Sequence, residues 1–149
     1  MNDRYLYKAK RIDNGEWVEG ALFDGEKYCV IGQQIKFSPY IENECKIVGY
    51  MVDPSNICKC TGLKDKNGKL IWENDVVRCI DKNNDLEFIA VIEFGNPNAF
   101  YSWGYQLRHI KGDKPNLNIL LWIDMEDTGA TCEVIGNIFD NPELLEVGE

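Results

Sequence analysis

The feature that most constrains the fold is a punctuation pattern. Asn14-Gly15, Asp24-Gly25 and Asn67-Gly68 each separate short segments in which apolar and polar residues alternate. Asn, Asp and Gly tolerate the positive φ of tight hairpin turns, and a period of two sends alternate side chains to opposite faces of a strand. No stretch carries apolar residues at the spacing of a long amphipathic helix.

Residues 5–11, 16–23, 27–31 and 45–51 therefore read as strands, with a mixed segment at 32–44 broken by Ser38-Pro39 and a turn starting at Asp53-Pro54. In residues 16–23, Val18, Gly20 and Leu22 share one face, opposite Trp17, Glu19 and Ala21. Further strands are predicted at 76–80, 86–94, 103–110 and 131–139. Residues 117–123 are almost continuously apolar, the pattern of a strand buried on both faces. Asn141-Pro142-Glu143 offers a capping residue, a proline at the first helical position and an early acid, which predicts a short C-terminal helical turn. The expected class is mainly β, in two small β subdomains at residues 1–58 and 59–149. The second resembles an SH3-like barrel, because a short turn at Asn74-Asp75 feeds a Val76-Val77 strand.

At 149 residues, 44% of them hydrophobic, the chain is long enough for a sizeable core. The longest purely apolar run, residues 119–123, is far shorter than the ~20 residues of a membrane span, and the N-terminal residues show no secretory apolar region. A soluble, cytoplasmic protein is the expectation. The net charge of −9 is uneven: from Asp113 onward there are nine acids and one base. Such a block reads as a solvated acidic face, with docking on a basic partner as the sharper reading, and it disfavours nucleic acid, whose backbone is bound by Lys and Arg.

Six cysteines stand at positions 29, 45, 58, 60, 79 and 132. Without a sign of secretion they read as free thiols. Cys58-Lys59-Cys60 lacks the C-x-x-C spacing of zinc and redox motifs, and positions i and i+2 of a strand place both thiols on one face. The single histidine, His109, has no second histidine to share a metal.

The run 61–69, Thr-Gly-Leu-Lys-Asp-Lys-Asn-Gly-Lys, with Ile71 and Asp75-Val76-Val77, resembles the central signature of the YopX family of phage and prophage proteins. The ending Val134-Ile135-Gly136-Asn137-Ile138-Phe139-Asp140-Asn141-Pro142-Glu143-Leu144-Leu145 and the start at residues 8–18, with Gly15-Glu16-Trp17-Val18, are similar to that family as well. Members usually place Gly before the Asp-Val-Val, where this chain has Asn74. Asn also adopts the left-handed conformation, so the turn is expected to survive. The resemblance implies a protein of bacterial mobile elements acting in the host cytoplasm, and it brings no established activity, cofactor or catalytic residue.

Three clusters are candidates for chemistry. Asp124, Glu126 and Asp127 offer oxygen ligands for Mg²⁺ or Ca²⁺, without the spacing of a twelve-residue calcium loop. Lys64, Lys66 and Lys69, with Lys59, make a basic hairpin able to meet phosphate, or simply a solvated turn. Tyr101, Trp103 and Tyr105, with Phe100, offer stacking surfaces, or divide between core and edge as strand aromatics do. No phosphate cradle, nucleophile elbow or two-histidine motif is present. The expectation is a non-enzymatic protein without catalytic, metal or cofactor site. It binds a host or phage protein or self-assembles as a homo-oligomer, with Lys64, Lys66, Lys69, Tyr101, Trp103 and Tyr105 as the candidate partner-binding residues. The alternatives are an accessory nucleic-acid-binding protein using the hairpin of residues 59–69 and the aromatics near Trp103, and a metal-dependent hydrolase built on the three acids.

Overall fold

The computed structural model describes residues 5–36, 45–95, 104–113, 117–123 and 129–146. The chain is mainly β and divides into two compact units, Met1–Cys60 and Thr61–Glu149.

In the first unit, β1 (Tyr7–Lys10), β2 (Trp17–Asp24), β3 (Cys29–Lys36) and β4 (Cys45–Val52) pair antiparallel in the order β4-β3-β2-β1. The opening residues of β5 (Cys58–Lys64) pair with the far side of β1. The predicted alternation holds in β2: Val18 joins Ala9, Ile31 and Val52 in the core, with Leu22 and Tyr50 packed against them. Gly20 is required by close approach, since a Cβ there would lie 2.2 Å from the Gly32 carbonyl oxygen. The sheet curls until the ends of β1 and β4 meet, through Ile12 N–H donating to Met51 O (3.0 Å) and Asp53 N–H donating to Lys10 O (2.9 Å). Buried Asn56 locks this seam by accepting from Lys10 N at 2.8 Å.

β3 runs to Lys36, past its predicted end at 31 and into the segment read as mixed. Gln33 and Gln34 face Val48 and Ile47 across the ladder, and the Gln33 amide donates to Glu19 O at 2.7 Å. Cross-strand pairing thus overrides a weak local preference. Ser38-Pro39 lies outside the described residues.

The second unit holds the rest of β5, β6 (Leu70–Trp72), β7 (Asp75–Asp81), β8 (Leu86–Gly95), β9 (Gly104–Gly112) and β10 (Ala130–Asn137). The last four form an antiparallel sheet in the order β10-β7-β8-β9. Its core is built on Ile71, Val77, Cys79, Phe88, Ala90, Ile92, Leu107, Ile119, Trp122 and Cys132. Among the described residues the β10-β7-β8-β9 sheet does not close on itself, so the barrel expected of this half is not seen. Alternating strands occur equally in open and closed sheets, because closure depends on tilt and shear rather than on pattern.

Residues 117–123 are not the predicted strand. Ile119–Leu121 is a single 3-10 turn, with the Asn118 side chain accepting from Leu120 N at 3.0 Å. The turn sends Ile119 and Trp122 into the core and leaves Leu120 and Leu121 58% and 42% exposed. A short apolar run carries no period of its own, and a polar residue able to cap decides its conformation. The C-terminal turn forms at Pro142–Leu145, as predicted. Asn141 does not cap it; its side-chain oxygen accepts from Asn137 N at 3.2 Å, at the end of β10.

Cys58, Cys60, Cys79 and Cys132 are buried, Cys29 is half-buried, and all five are free thiols. Cys79 and Cys132 face each other across β7 and β10. Hydrogen bonding to Cys132, together with burial, pushes the Cys79 thiol up, away from the reactive thiolate. Among the described residues no helix is long and apolar enough to cross a membrane.

Candidate functional site

The signature hairpin is built around Asp65, a carboxylate only 5% exposed. Its Oδ1 accepts from the backbone N–H groups of Asn67 and Lys69, both at 2.9 Å, and its Oδ2 accepts from Val134 N at 3.0 Å on β10. One side chain therefore satisfies two donors of its own turn and one of another strand. Gly68 has φ 79°, the left-handed region that glycine enters without steric cost. Upstream, the Thr61 hydroxyl donates to Ile71 O at 2.7 Å and accepts from Leu63 N at 3.1 Å. Downstream, buried Asp75 accepts from Trp72 N at 2.8 Å. Asn74 holds φ 71°, while its backbone N–H donates to Ile92 O at 2.8 Å and its carbonyl accepts from Ile138 N at 3.1 Å. The polar groups of Thr61, Asp65 and Asp75 are thus absorbed by the fold.

A consequence can be measured at Asn74. Asn74→Gly should leave the melting temperature within about 2 °C, because Gly holds positive φ without strain. Asn74→Val should cost about 1–2 kcal/mol, roughly 3–6 °C at this chain length, because a β-branched residue resists the left-handed region. Equal melting temperatures for the two variants would refute this account of the turn.

The candidate lysines ride on this rigid turn. Lys64, Lys66 and Lys69 are exposed, but Lys66 pairs with Glu133 on β10 at 3.5 Å. The Asn67 amide also donates to Glu133, at 3.4 Å. Tyr105 is half-buried on β9 with its ring edge-on to Phe94 at 5.1 Å. The turn abuts β10, through Lys66 N–H donating to Cys132 O at 2.9 Å, whereas β9 forms the opposite edge of the same sheet. Three strand spacings separate these edges, about 14 Å. The structure therefore does not gather the lysines and Tyr105 into one patch. Tyr101 and Trp103 lie outside the described residues, as do Asp124, Glu126 and Asp127. Among the described residues no cluster of three or more His, Cys, Asp or Glu can hold a metal ion. The His109 ring stacks against Phe88, and its Nε2 lies 3.1 Å from Gly112 O.

A surface that the sequence reading missed lies on the first unit. In an antiparallel sheet with one buried face, outward positions are normally polar. Across β2, β3 and β4 the outward rows are Phe23–Val30–Met51 and Ala21–Gly32–Gly49, with Ile47 beyond them. Phe23 is 56% exposed, Ile47 68% and Met51 46%. The glycines make this face low: Phe23 and Ile47 lean over Gly32, and Val30 leans over Gly49, where a Cβ would meet each of these side chains within 3.6 Å. The sequence did hold a signal, namely strands apolar at both parities, but single-strand alternation hides it until the register aligns the outward rows.

A cleft of about 260 Å³ opens at the margin of this face beside Gly49 and Met51. Arg11 on its wall stacks on the Tyr50 ring at 4.6 Å and grips both Asp13 oxygens, at 2.9 and 2.6 Å. That hydrogen bonding holds the Asp13 carboxyl below its usual range. The guanidinium is therefore neutralised, and the cleft offers shape and apolar contact rather than an anion site.

The model of one protein family, described as YopX protein, matches residues 6–146 of the chain. No curated protein matches it.

Proposed function

The chain belongs to the YopX family across nearly its whole length, and from that premise we propose that it is a non-enzymatic phage- or prophage-type protein that acts in the host cytoplasm by binding another protein surface. The observation that carries this reading is the apolar face on the first unit, where Phe23, Ile47 and Met51 are exposed beside half-buried Val30. Interfaces are enriched in Phe, Met, Tyr and Arg, and an exposed apolar surface with Arg11 and Tyr50 at its margin has that character. The burial of Asp65 and Asp75 in backbone hydrogen bonds supports a structural role for the signature, not a catalytic one.

The accessory nucleic-acid reading has weaker support, since Lys66 is paired with Glu133 and the hairpin lies across the sheet from Tyr105. The metal-dependent hydrolase rests wholly on Asp124, Glu126 and Asp127, outside the described residues.

Wild-type chain and the Phe23→Glu/Ile47→Glu double variant, compared in nuclease-treated lysate pull-downs, test the proposal. A protein retained at stoichiometric level by wild type and lost by the double variant is the expected result. Identical recovery by both, with both folded, would remove the face from the function. Loss of recovered nucleic acid on Lys64→Glu/Lys69→Glu would favour the hairpin instead.

A further inference from the structure

We infer that the occupant of the apolar face is a second copy of this chain, packed sheet to sheet about a two-fold axis. The inference rests on the reading that this face is a binding surface, and it names the partner. A sheet apolar on both faces is ordinarily a sheet covered on both faces. Here the inward face is covered by the unit's own core, of Ala9, Val18, Ile31 and Val52, while Phe23, Ile47 and Met51 point away from it.

Two observations select a second copy over a foreign protein. The first is charge. The first unit, residues 1–60, carries nine acids and eight bases, whereas residues 61–149 carry sixteen acids and eight bases. Two copies meeting through their second units would set eight net negative charges against eight. Meeting through the first units, they bring together nearly neutral surfaces with an apolar centre. A basic foreign partner would gain more from the acidic segment than from this face.

The second is area. Phe23, Val30 and Ile47 lie down over Gly32 and Gly49, which keeps the middle of the face low. A two-fold axis sets this face against its own copy, and sheets pack face to face about 10 Å apart. Three strands of eight residues present roughly 400 Å² per copy. The total of about 800 Å² lies in the range of weak, transient encounters, so the dimer is reversible.

Sedimentation velocity on the full chain from about 1 µM to about 500 µM tests this. The expected result is a concentration-dependent shift from one chain to two. Phe23→Glu and Ile47→Glu, each at an exposed position, should each raise the dissociation constant at least about ten-fold without moving the thermal melt. Lys64→Glu/Lys69→Glu, on the second unit, should leave it unchanged. A single-chain mass at every concentration overturns the inference, as does an assembly that neither face variant weakens. If the chain stays monomeric while the Phe23→Glu/Ile47→Glu double variant still loses a protein in the pull-down above, only the second copy is refuted. If both experiments are insensitive to the face, the binding reading falls with it.

Discussion

Asp65→Ala is expected to destabilise the second unit by about 3–5 kcal/mol, lowering the melting temperature by roughly 10 °C. The carboxylate accepts from Asn67 N, Lys69 N and Val134 N, and it is 5% exposed, so water cannot readily replace it. Alanine leaves three backbone donors without an acceptor, and each buried, unsatisfied donor costs about 1–3 kcal/mol. Asp65→Asn tests the geometry more finely. It keeps an oxygen for one site but turns an NH₂ group toward a donor at the other, and should lose about 2–3 kcal/mol. A melt of Asp65→Ala within about 2 °C of wild type, by calorimetry or circular dichroism, would show that the turn does not depend on this side chain.

Phe88→Ala is expected to cost a similar amount, about 3–5 kcal/mol, through lost transfer energy and the cavity left behind. Phe88 is fully buried at the centre of the second core, edge-on to Trp122 at 5.0 Å and stacked against His109 at 6.2 Å. It also links the 3-10 turn of Ile119–Leu121 to the sheet, because Trp122 follows directly on that turn. The variant should therefore expose Trp122 as well as melt early, seen as a red shift in tryptophan emission. A conservative Phe88→Leu change should retain most of the stability. Unchanged emission with a strong loss of stability would place the effect away from the Trp122 contact.

The fold class was legible because hairpin turns and strand alternation are local. Gly68 and Asn74 hold positive φ where a turn between short apolar segments was read, and β2 buries the side chains that its alternation selects. The apolar run at 117–123 misled because local pattern cannot separate a buried strand from a capped 3-10 turn whose first residue enters a core. The extension of β3 escaped because Gln33 and Gln34 are poor strand formers whose conformation is set by Val48 and Ile47 opposite them. The candidate site was less legible still. Lys64, Lys66 and Lys69 were visible as a basic turn, but Glu133, which pairs with Lys66, stands 67 residues away in the chain.

By itself the amino-acid sequence determined a mainly β chain with turns at Asn14-Gly15 and Asn67-Gly68, an acidic second half, and membership in a family whose model matches residues 6–146. These follow from backbone preference and composition, which act over a few residues. Only the tertiary structure decided that Asp65 reaches across to Val134, that the lysine turn and Tyr105 occupy opposite edges of one sheet, and that Phe23, Ile47 and Met51 share an exposed face. The physical reason is register. A strand's own sequence selects which residues share a face, but which neighbouring strand supplies the next row depends on pairings between residues distant in the chain.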